Sequence, residues 1–371
     1  MLSKIRKLDP VLVIAGILAV ISSVLVHPDA KYIDYIDIRT LAILWSLMII
    51  VQGLTVNGVF ERIAKYLMRH INRVGGMAVV LVLLCFFGGM LITNDVALIT
   101  FVPFSILILE KSNRENLALP VIVLQTLAAN LGSMLTPIGN PQNLYLYGIM
   151  KISPLDFLRI MLPYTLLSLV LLMISVTCLP GKGEHIALHR TESEKIHHGR
   201  RIEIISYSLM FVFALCAVGR LIPYYLVAAI ILIATVALNP RLIKQVDYSL
   251  LVTFVFLFIF TGNMARVEII KETLQNLIDG REFAVSIVTS QFISNVPATL
   301  LLTSFTGDLK EVLLGVNIGG LGTLIASMAS LISYKEFSRK YEDKKIRYIG
   351  LFTVLNVSFL LVLVGFKLLI A

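Results

Sequence analysis

ITNDVAL, residues 92–98, carries the one charge found between Arg73 and Glu110: Asp95, set beside Asn94 at the centre of an otherwise uncharged run. A carboxylate in hydrocarbon is costly unless it is paired, holds a cation or carries a proton, so it marks an ion or proton pathway. The surrounding run is too long for one crossing and is broken by polar residues at its middle. It therefore reads as two helical arms meeting at a polar tip.

The rest of the chain supports a membrane setting. Its 371 residues are 57% hydrophobic with a mean hydropathy of +0.88, and its apolar runs reach the roughly 17–25 residues that cross a bilayer. An all-α polytopic membrane protein follows, folded as one helical unit, because only helices or closed barrels satisfy their backbone in lipid. The net charge of +9 does not point to nucleic acid, since Lys and Arg lie between apolar runs and form no basic arm with interleaved aromatics. Cys85, Cys178 and Cys216 sit in or beside apolar runs without ligand spacing and read as packing residues. The run 11–26 follows Lys4, Arg6 and Lys7 but has no small-residue cleavage site before His27 and Pro28, so it reads as a first helix.

Full crossings are expected at 11–26, 39–55, 160–179, 204–221, 223–239, 247–263 and 348–370. Segments 117–150 and 312–334 each cross once as interrupted helices, giving about nine crossings. The run 283–307 is broken by Ser294, Asn295, Val296 and Pro297 into arms of roughly ten residues, half a bilayer each. It and 74–109 are expected to be re-entrant hairpins. With that assignment most basic residues, including the cluster at 335–347, fall on one side. Cytoplasmic loops collect Lys and Arg, so the N-terminus is expected in the cytoplasm and the C-terminus outside it, in a multi-pass protein of the inner (cytoplasmic) membrane. Segments 56–72 and 266–280 mix apolar and charged residues at helical spacing and read as amphipathic interfacial helices.

The chain also resembles itself. ITNDVAL (92–98) aligns without gaps to ISNVPAT (293–299), and NLGSMLTPIGN (130–140) to NIGGLGTLIAS (317–327). More weakly, 37–53 resembles 247–262. The expected organisation is a first repeat over 1–180, a cytoplasmic linker over 181–203, and a second, inverted repeat over 204–371. Inverted repeats with paired broken helices place a substrate site near the midplane. His185, His189, His197 and His198 lie in the linker, where the charged setting reads as solvated chain rather than a metal site.

A hairpin tip at mid-membrane presents carbonyls of one arm to cations and N–H groups of the next to anions. Candidate substrate- or ion-binding residues are Thr93, Asn94 and Asp95 at the first tip, and Ser294, Asn295, Pro297 and Thr299 at the second. The first interrupted helix adds Asn130, Thr136, Pro137, Gly139, Asn140, Pro141 and Asn143; the second adds Asn317, Gly319, Thr323 and Ser327. Proline after such a break suits the first turn of a new helix. Asp95 in the first turn also suits a capping role. No nucleophile triad, phosphate loop or zinc motif is present in the sequence and Asp95 has no second catalytic group at suggestive spacing, so an enzyme is not expected.

With TNDVAL, TPIGNPQN and SNVP as they stand here, the chain resembles the ion transporter superfamily of sodium-coupled dicarboxylate and citrate carriers, arsenite permeases and one class of sodium/proton antiporters. It looks most like the YbiR-like inner-membrane group. The resemblance implies an elevator-type homodimer, with 74–180 and 282–371 moving against a scaffold of 1–55 and 204–265. It implies Na+ sites in which Thr93-Asn94 and Ser294-Asn295 take the tip roles beside the interrupted helices, and the chemistry of the residues adds Asp95 and Asn140 as candidate Na+ ligands. Asp95 and Val296 stand where dicarboxylate carriers have a third polar tip residue, and an Asn-Asp tip looks more like the arsenite permeases. The expectation is a secondary transporter of a small anion or oxyanion, dicarboxylate/citrate-like or arsenite-like, coupled to Na+ or H+ and needing no other cofactor. The alternative is a cation/proton antiporter without an anionic substrate. Expected partners are the lipid bilayer, the substrate and a second copy of the chain.

Overall fold

A computed structural model describes residues 10–69, 71–186 and 198–370, and these residues are helical apart from turns, short connections and one isolated bridge. The first half holds α1 (Pro10–Leu25), a single turn α2 (Lys31–Tyr35), α3 (Ile38–Val56), α4 (Val59–Met68), α5 (Val74–Ile92), α6 (Asn94–Lys111), α7 (Ala118–Ser133), α8 (Pro141–Met150) and α9 (Pro154–Thr177). The second holds α10 (His198–Val218), α11 (Tyr224–Leu238), α12 (Tyr248–Arg266), α13 (Glu268–Ile278), α14 (Glu282–Ile293), α15 (Asn295–Leu302), α16 (Leu309–Ile318), α17 (Met328–Lys340) and α18 (Lys345–Ile370). Polar residues at the starts fix many boundaries. Asp37 and Asp247 cap α3 and α12 with nearly the same backbone angles (φ −74°, ψ 84° and φ −75°, ψ 82°). Asn140 and Ser153 cap helices that begin with proline, whose missing N–H costs nothing in a first turn.

Among the described residues, seven helical segments are long and apolar enough to cross a membrane: Ile38–Val56, Val74–Ile92, Glu115–Ser133, Pro154–Thr177, Arg201–Val218, Tyr248–Arg266 and Glu342–Ile370. The expected crossings at 11–26 and 223–239 appear as shorter apolar helices, Pro10–Leu25 and Tyr224–Leu238. Both expected interruptions are present, between α7 and α8 and between α16 and α17.

The two hairpins differ in depth. The second has arms of 12 and 8 residues, about 18 and 12 Å long, the size of a re-entrant loop. The arms of the first have 19 and 18 residues, about 28 and 27 Å, which is full crossing length and longer than a re-entrant hairpin. α5 runs unbroken to its tip despite Gly75, Gly76, Gly88 and Gly89, which weaken a helix by about 1 kcal/mol each but do not end one that is packed. A two-armed excursion returns to its starting side at either depth, so the parity of the charge assignment is unaffected.

α5 and α6 pack on α7 as α14 and α15 pack on α16. The approach is close enough to exclude side chains at particular glycines. A Cβ on Gly132 would collide with the Phe86 backbone, and one on Gly319 would lie 2.8 Å from Ile287 Cα. The amphipathic segments are helices α4 and α13; α4 buries Phe60, Ala64 and Met68 and exposes Ile63, Tyr66 and Leu67. The start of the linker is not free chain. The Val74 and Gly75 N–H groups donate to the Glu184 and Lys182 carbonyls at 3.0 and 2.9 Å, and Arg114 pairs with Glu184 at 2.5 Å. No cluster of three or more His, Cys, Asp or Glu poised for a metal occurs among the described residues; His189 and His197 lie outside them.

Gly132→Ala is expected to push α5 from α7 and destabilise by about 1–3 kcal/mol, the usual cost of overpacking. Thermal unfolding in detergent reads this as a lower Tm, against an unchanged Tm for Gly350→Ala, where nothing approaches within 4 Å.

Candidate functional site

Both hairpin tips adopt one unusual backbone conformation. Thr93 has φ 74°, ψ 151° and Ser294 has φ 73°, ψ 153°. Non-glycine residues seldom enter this region, at a cost of about 1–3 kcal/mol each, and hold it only where the surroundings enforce it. The enforcing contacts are matched. The Asn94 N–H donates to the Gly139 carbonyl at 3.1 Å, and the Asn295 N–H to the Ala326 carbonyl at 3.0 Å. In return, Thr136 Oγ1 donates to the Met90 carbonyl at 2.6 Å and Thr323 Oγ1 to the Gln291 carbonyl at 3.1 Å. Every residue in these pairs corresponds under the ungapped alignments of the sequence with itself, the first extended two residues upstream.

The two interrupted helices are also clasped to each other. Asn130 Oδ1 accepts from Asn94 Nδ2 and from Ser327 Oγ, each at 3.0 Å, and Asn130 Nδ2 donates to Ser330 Oγ at 3.1 Å. Its counterpart Asn317 accepts from Asn140 Nδ2 at 3.4 Å and donates to Asn143 Oδ1 at 2.7 Å. Asn140 corresponds to Ser327 and, three residues on, Asn143 to Ser330. Each half thus grips the break of the other with an asparagine at the end of its first arm. All these side chains are buried, where hydrogen bonding is required to offset desolvation.

Other residues complete the shape. Asn143 Nδ2 also reaches the carbonyls of Ser133, Met134 and Thr136, and Asn140 Nδ2 reaches Ser133 Oγ at 3.3 Å. Gln291 clamps the second break: Nε2 donates to the Gly319 and Leu321 carbonyls at 2.8 and 2.9 Å, and Oε1 accepts from the Thr323 N–H at 2.9 Å. A Cβ on Gly320 would lie 2.9 Å from Asn295 Nδ2, so this glycine makes room for the tip amide. Pro137 is buried in the first break, Pro141 opens α8, and Pro297 lies in the first turn of α15. Thr299 is spent within its own helix, donating to the Asn295 carbonyl at 2.7 Å.

Asp95 lies half-buried in the first turn of α6, with its N–H on Asn94 Oδ1 at 3.0 Å. The partial positive charge of a helix start favours a carboxylate there. Its counterpart Val296 is buried and apolar. Two groups at the breaks have no partner at all. Both amide atoms of Gln142, a residue only 1% exposed, and the hydroxyl of Ser294 make no hydrogen bond. A buried unsatisfied polar group costs about 1–3 kcal/mol, so such groups in a native fold call for a ligand or water. The gathered polar side chains are amides, hydroxyls and one carboxylate, with no Lys, Arg or His among them. Such a set offers hard oxygens to a cation and N–H groups to an oxygen-bearing solute. Sequence reasoning missed Gln291 and Ser133 as site residues. A glutamine inside an apolar arm was the available signal for the first.

Residues 1–309 match the citrate transporter family. The chain is 29% identical over 354 residues to the uncharacterized transporter MJ0456 of Methanocaldococcus jannaschii, covering 95% of this chain and 94% of that one. It is 30% identical over 345 residues to the inner membrane protein YbiR of Escherichia coli, covering 90% and 88%. A stretch of 175 residues is 29% identical to the silicon efflux transporter LSI3 of Oryza sativa subsp. japonica, covering 45% and 35%.

Gln142→Leu removes two unsatisfied buried atoms at similar volume, so the variant is expected to unfold at the same temperature or higher. If Gln142 contacts the solute, the same variant loses ligand-induced stabilisation and transport. A clear drop in Tm would instead make Gln142 a structural residue.

Proposed function

The chain belongs to the citrate transporter family, and from that membership we propose that it is a secondary active transporter moving a small anion or oxyanion, coupled to Na+ or H+. The observation that carries this reading is the reciprocal asparagine clasp at two matched, polar, helix-broken tips. Unwound backbone is tolerated in a membrane where it lines a cavity, and paired broken helices are the arrangement that binds a solute there.

In this reading the matched contacts are those of two inverted repeats, and the helices of 74–180 and 282–371 move as one elevator body against 1–55 and 204–265. Two copies form a homodimer in the inner membrane, with the N-terminus cytoplasmic. Thr93, Asn94, Asp95, Asn140, Ser294 and Asn295 supply the coupling-ion site, with Asp95 holding Na+ or exchanging H+. Gln142 and the α8 N-terminus face the solute. The silicon efflux relative, matched over 45% of this chain, favours a small inorganic solute, and a site of amides and hydroxyls, without a cationic side chain, can hydrogen-bond the oxygens of such a solute. The missing cation equally favours a second reading, a cation/proton antiporter in which Asp95 alternates between Na+ and H+.

Thermal unfolding in NaCl against choline chloride at equal ionic strength separates these. A ligand bound only by the folded state at 100 times its Kd adds about 2.7 kcal/mol. Wild type is expected to gain Tm in Na+ and Asp95→Asn to lose that gain. Sodium indifference of the wild type at two pH values would remove sodium coupling. In the symport reading, a stabilising anion or oxyanion appears on screening with Na+ present; in the antiport reading none does.

A further inference from the structure

Away from the tips, the first turns of α9, the first turn of α16 and the last turns of α18 enclose a cavity of about 290 Å³. Its walls carry three cationic side chains, Arg159, Lys310 and Lys367, against one anionic side chain, Glu311. Glu311 is already engaged. It pairs with Lys367 at 2.9 Å, both largely buried at 24% and 17% exposure, and the Lys367 ammonium lies 5.0 Å over the Phe283 ring. Arg159 has only an exposed contact with Asp156 at 3.4 Å, which at such exposure contributes little. Lys310 makes no ion pair among the described residues. Of the three cations only Lys310 is without an ion pair among the described residues, so with Asp156 counted the rim carries one positive charge in excess.

Its floor is of another character. The buried Leu314 and half-buried Ile160 line it, with Ile370, 53% exposed, at its edge, and the flanking surface is apolar and exposed, with Leu155 and Leu162 on α9 and Leu368 and Leu369 on α18. In a multi-pass membrane protein that surface faces acyl chains. A positive rim over an apolar floor continuous with the lipid-facing surface complements a phosphate joined to hydrocarbon. Arg offers a planar fork suited to phosphate, and Lys a mobile point charge. A free anion shares the charge chemistry but leaves the apolar floor unused.

We propose that this cavity binds the headgroup of an anionic phospholipid, with its phosphate held by Arg159 and Lys310 and an acyl chain along Ile160, Leu314 and Ile370. The site is independent of the solute site. It bears on it mechanically, because α16 begins at this cavity and carries Asn317 in its last turn.

The test uses purified, delipidated full-length protein in detergent. Dioleoylphosphatidylglycerol, dioleoylphosphatidylcholine at the same mole fraction, or sodium phosphate at matched ionic strength is added, and thermal unfolding is followed. Phosphatidylglycerol is expected to raise Tm by several degrees beyond phosphatidylcholine, and phosphate not to. The variant R159Q/K310Q, altered at two exposed positions, is expected to keep its Tm in phosphatidylcholine and lose the phosphatidylglycerol increment. The variant K65Q/R69Q, equally exposed but on α4, is expected to retain it. Equal rises with both lipids would overturn the proposal, as would an increment that survives R159Q/K310Q or disappears in K65Q/R69Q. A rise reproduced by phosphate alone would make the cavity a free-anion site and overturn the lipid assignment.

Discussion

Breaking a helix inside a membrane strands backbone donors and acceptors where no lipid can satisfy them, and the rest of this structure follows from how four such breaks are satisfied. Each tip gives its asparagine N–H to a carbonyl of the neighbouring interrupted helix, and each interrupted helix returns a threonine hydroxyl to the tip's first arm. Neither element is self-sufficient. The hairpin needs the break beside it to hold its strained tip, and the break needs the hairpin to absorb its freed groups. Hence Gly132 and Gly319, which let the arms approach to backbone contact, are as necessary to the tips as the polar residues themselves.

The asparagine clasp adds the next level. A hairpin and its interrupted helix would form a closed unit within either half, but Asn130 and Asn317 each reach the break of the other half. A second buried group, Thr126 with Ser333 at 2.6 Å and Tyr348 with both, repeats the tie one turn further along α7 and α17. These bonds are buried, in surroundings where the alternative is an unsatisfied polar atom. The two halves therefore meet at the tips as one polar core, while the α1, α10 and α11 surfaces around it are largely apolar and exposed.

Much of this was legible in the sequence because the signals were departures from an apolar background. Asn94, Asn295 and the density of polar and breaker residues in TPIGNPQN located both tips and the first break, and the self-alignment paired residues that the fold brings into equivalent contacts. Depth was not legible for the first hairpin. Gly75, Gly76, Gly88 and Gly89 leave the length of the first arm open in sequence, and packing carries α5 through its full 19 residues, whereas the short arms of the second hairpin follow from the charges and turns that flank them. The roles of Gln291 and Ser133 were hidden for another reason. A glutamine binding three backbone groups across a break has no local sequence pattern, because its partners lie 28–32 positions away.

The matched contacts also separate framework from chemistry. A residue whose hydrogen bonds are consumed by the matched contacts has little capacity left for a solute, and this describes Asn130, Asn317, Thr136 and Thr323. Capacity remains where the correspondence fails. Asp95 stands against Val296 and Gln142 against Ala329, both counterparts buried and apolar. The two halves thus build the same frame around the tips but place a carboxylate and an unpartnered amide on one side only. A solute held at the centre would meet unlike walls, and selectivity would rest with the first half. The second half would contribute the clamped loop of Gln291 and the unpartnered hydroxyl of Ser294. Symmetry of the backbone and asymmetry of the side chains then answer different needs: the first satisfies the breaks, and the second gives the site a preference.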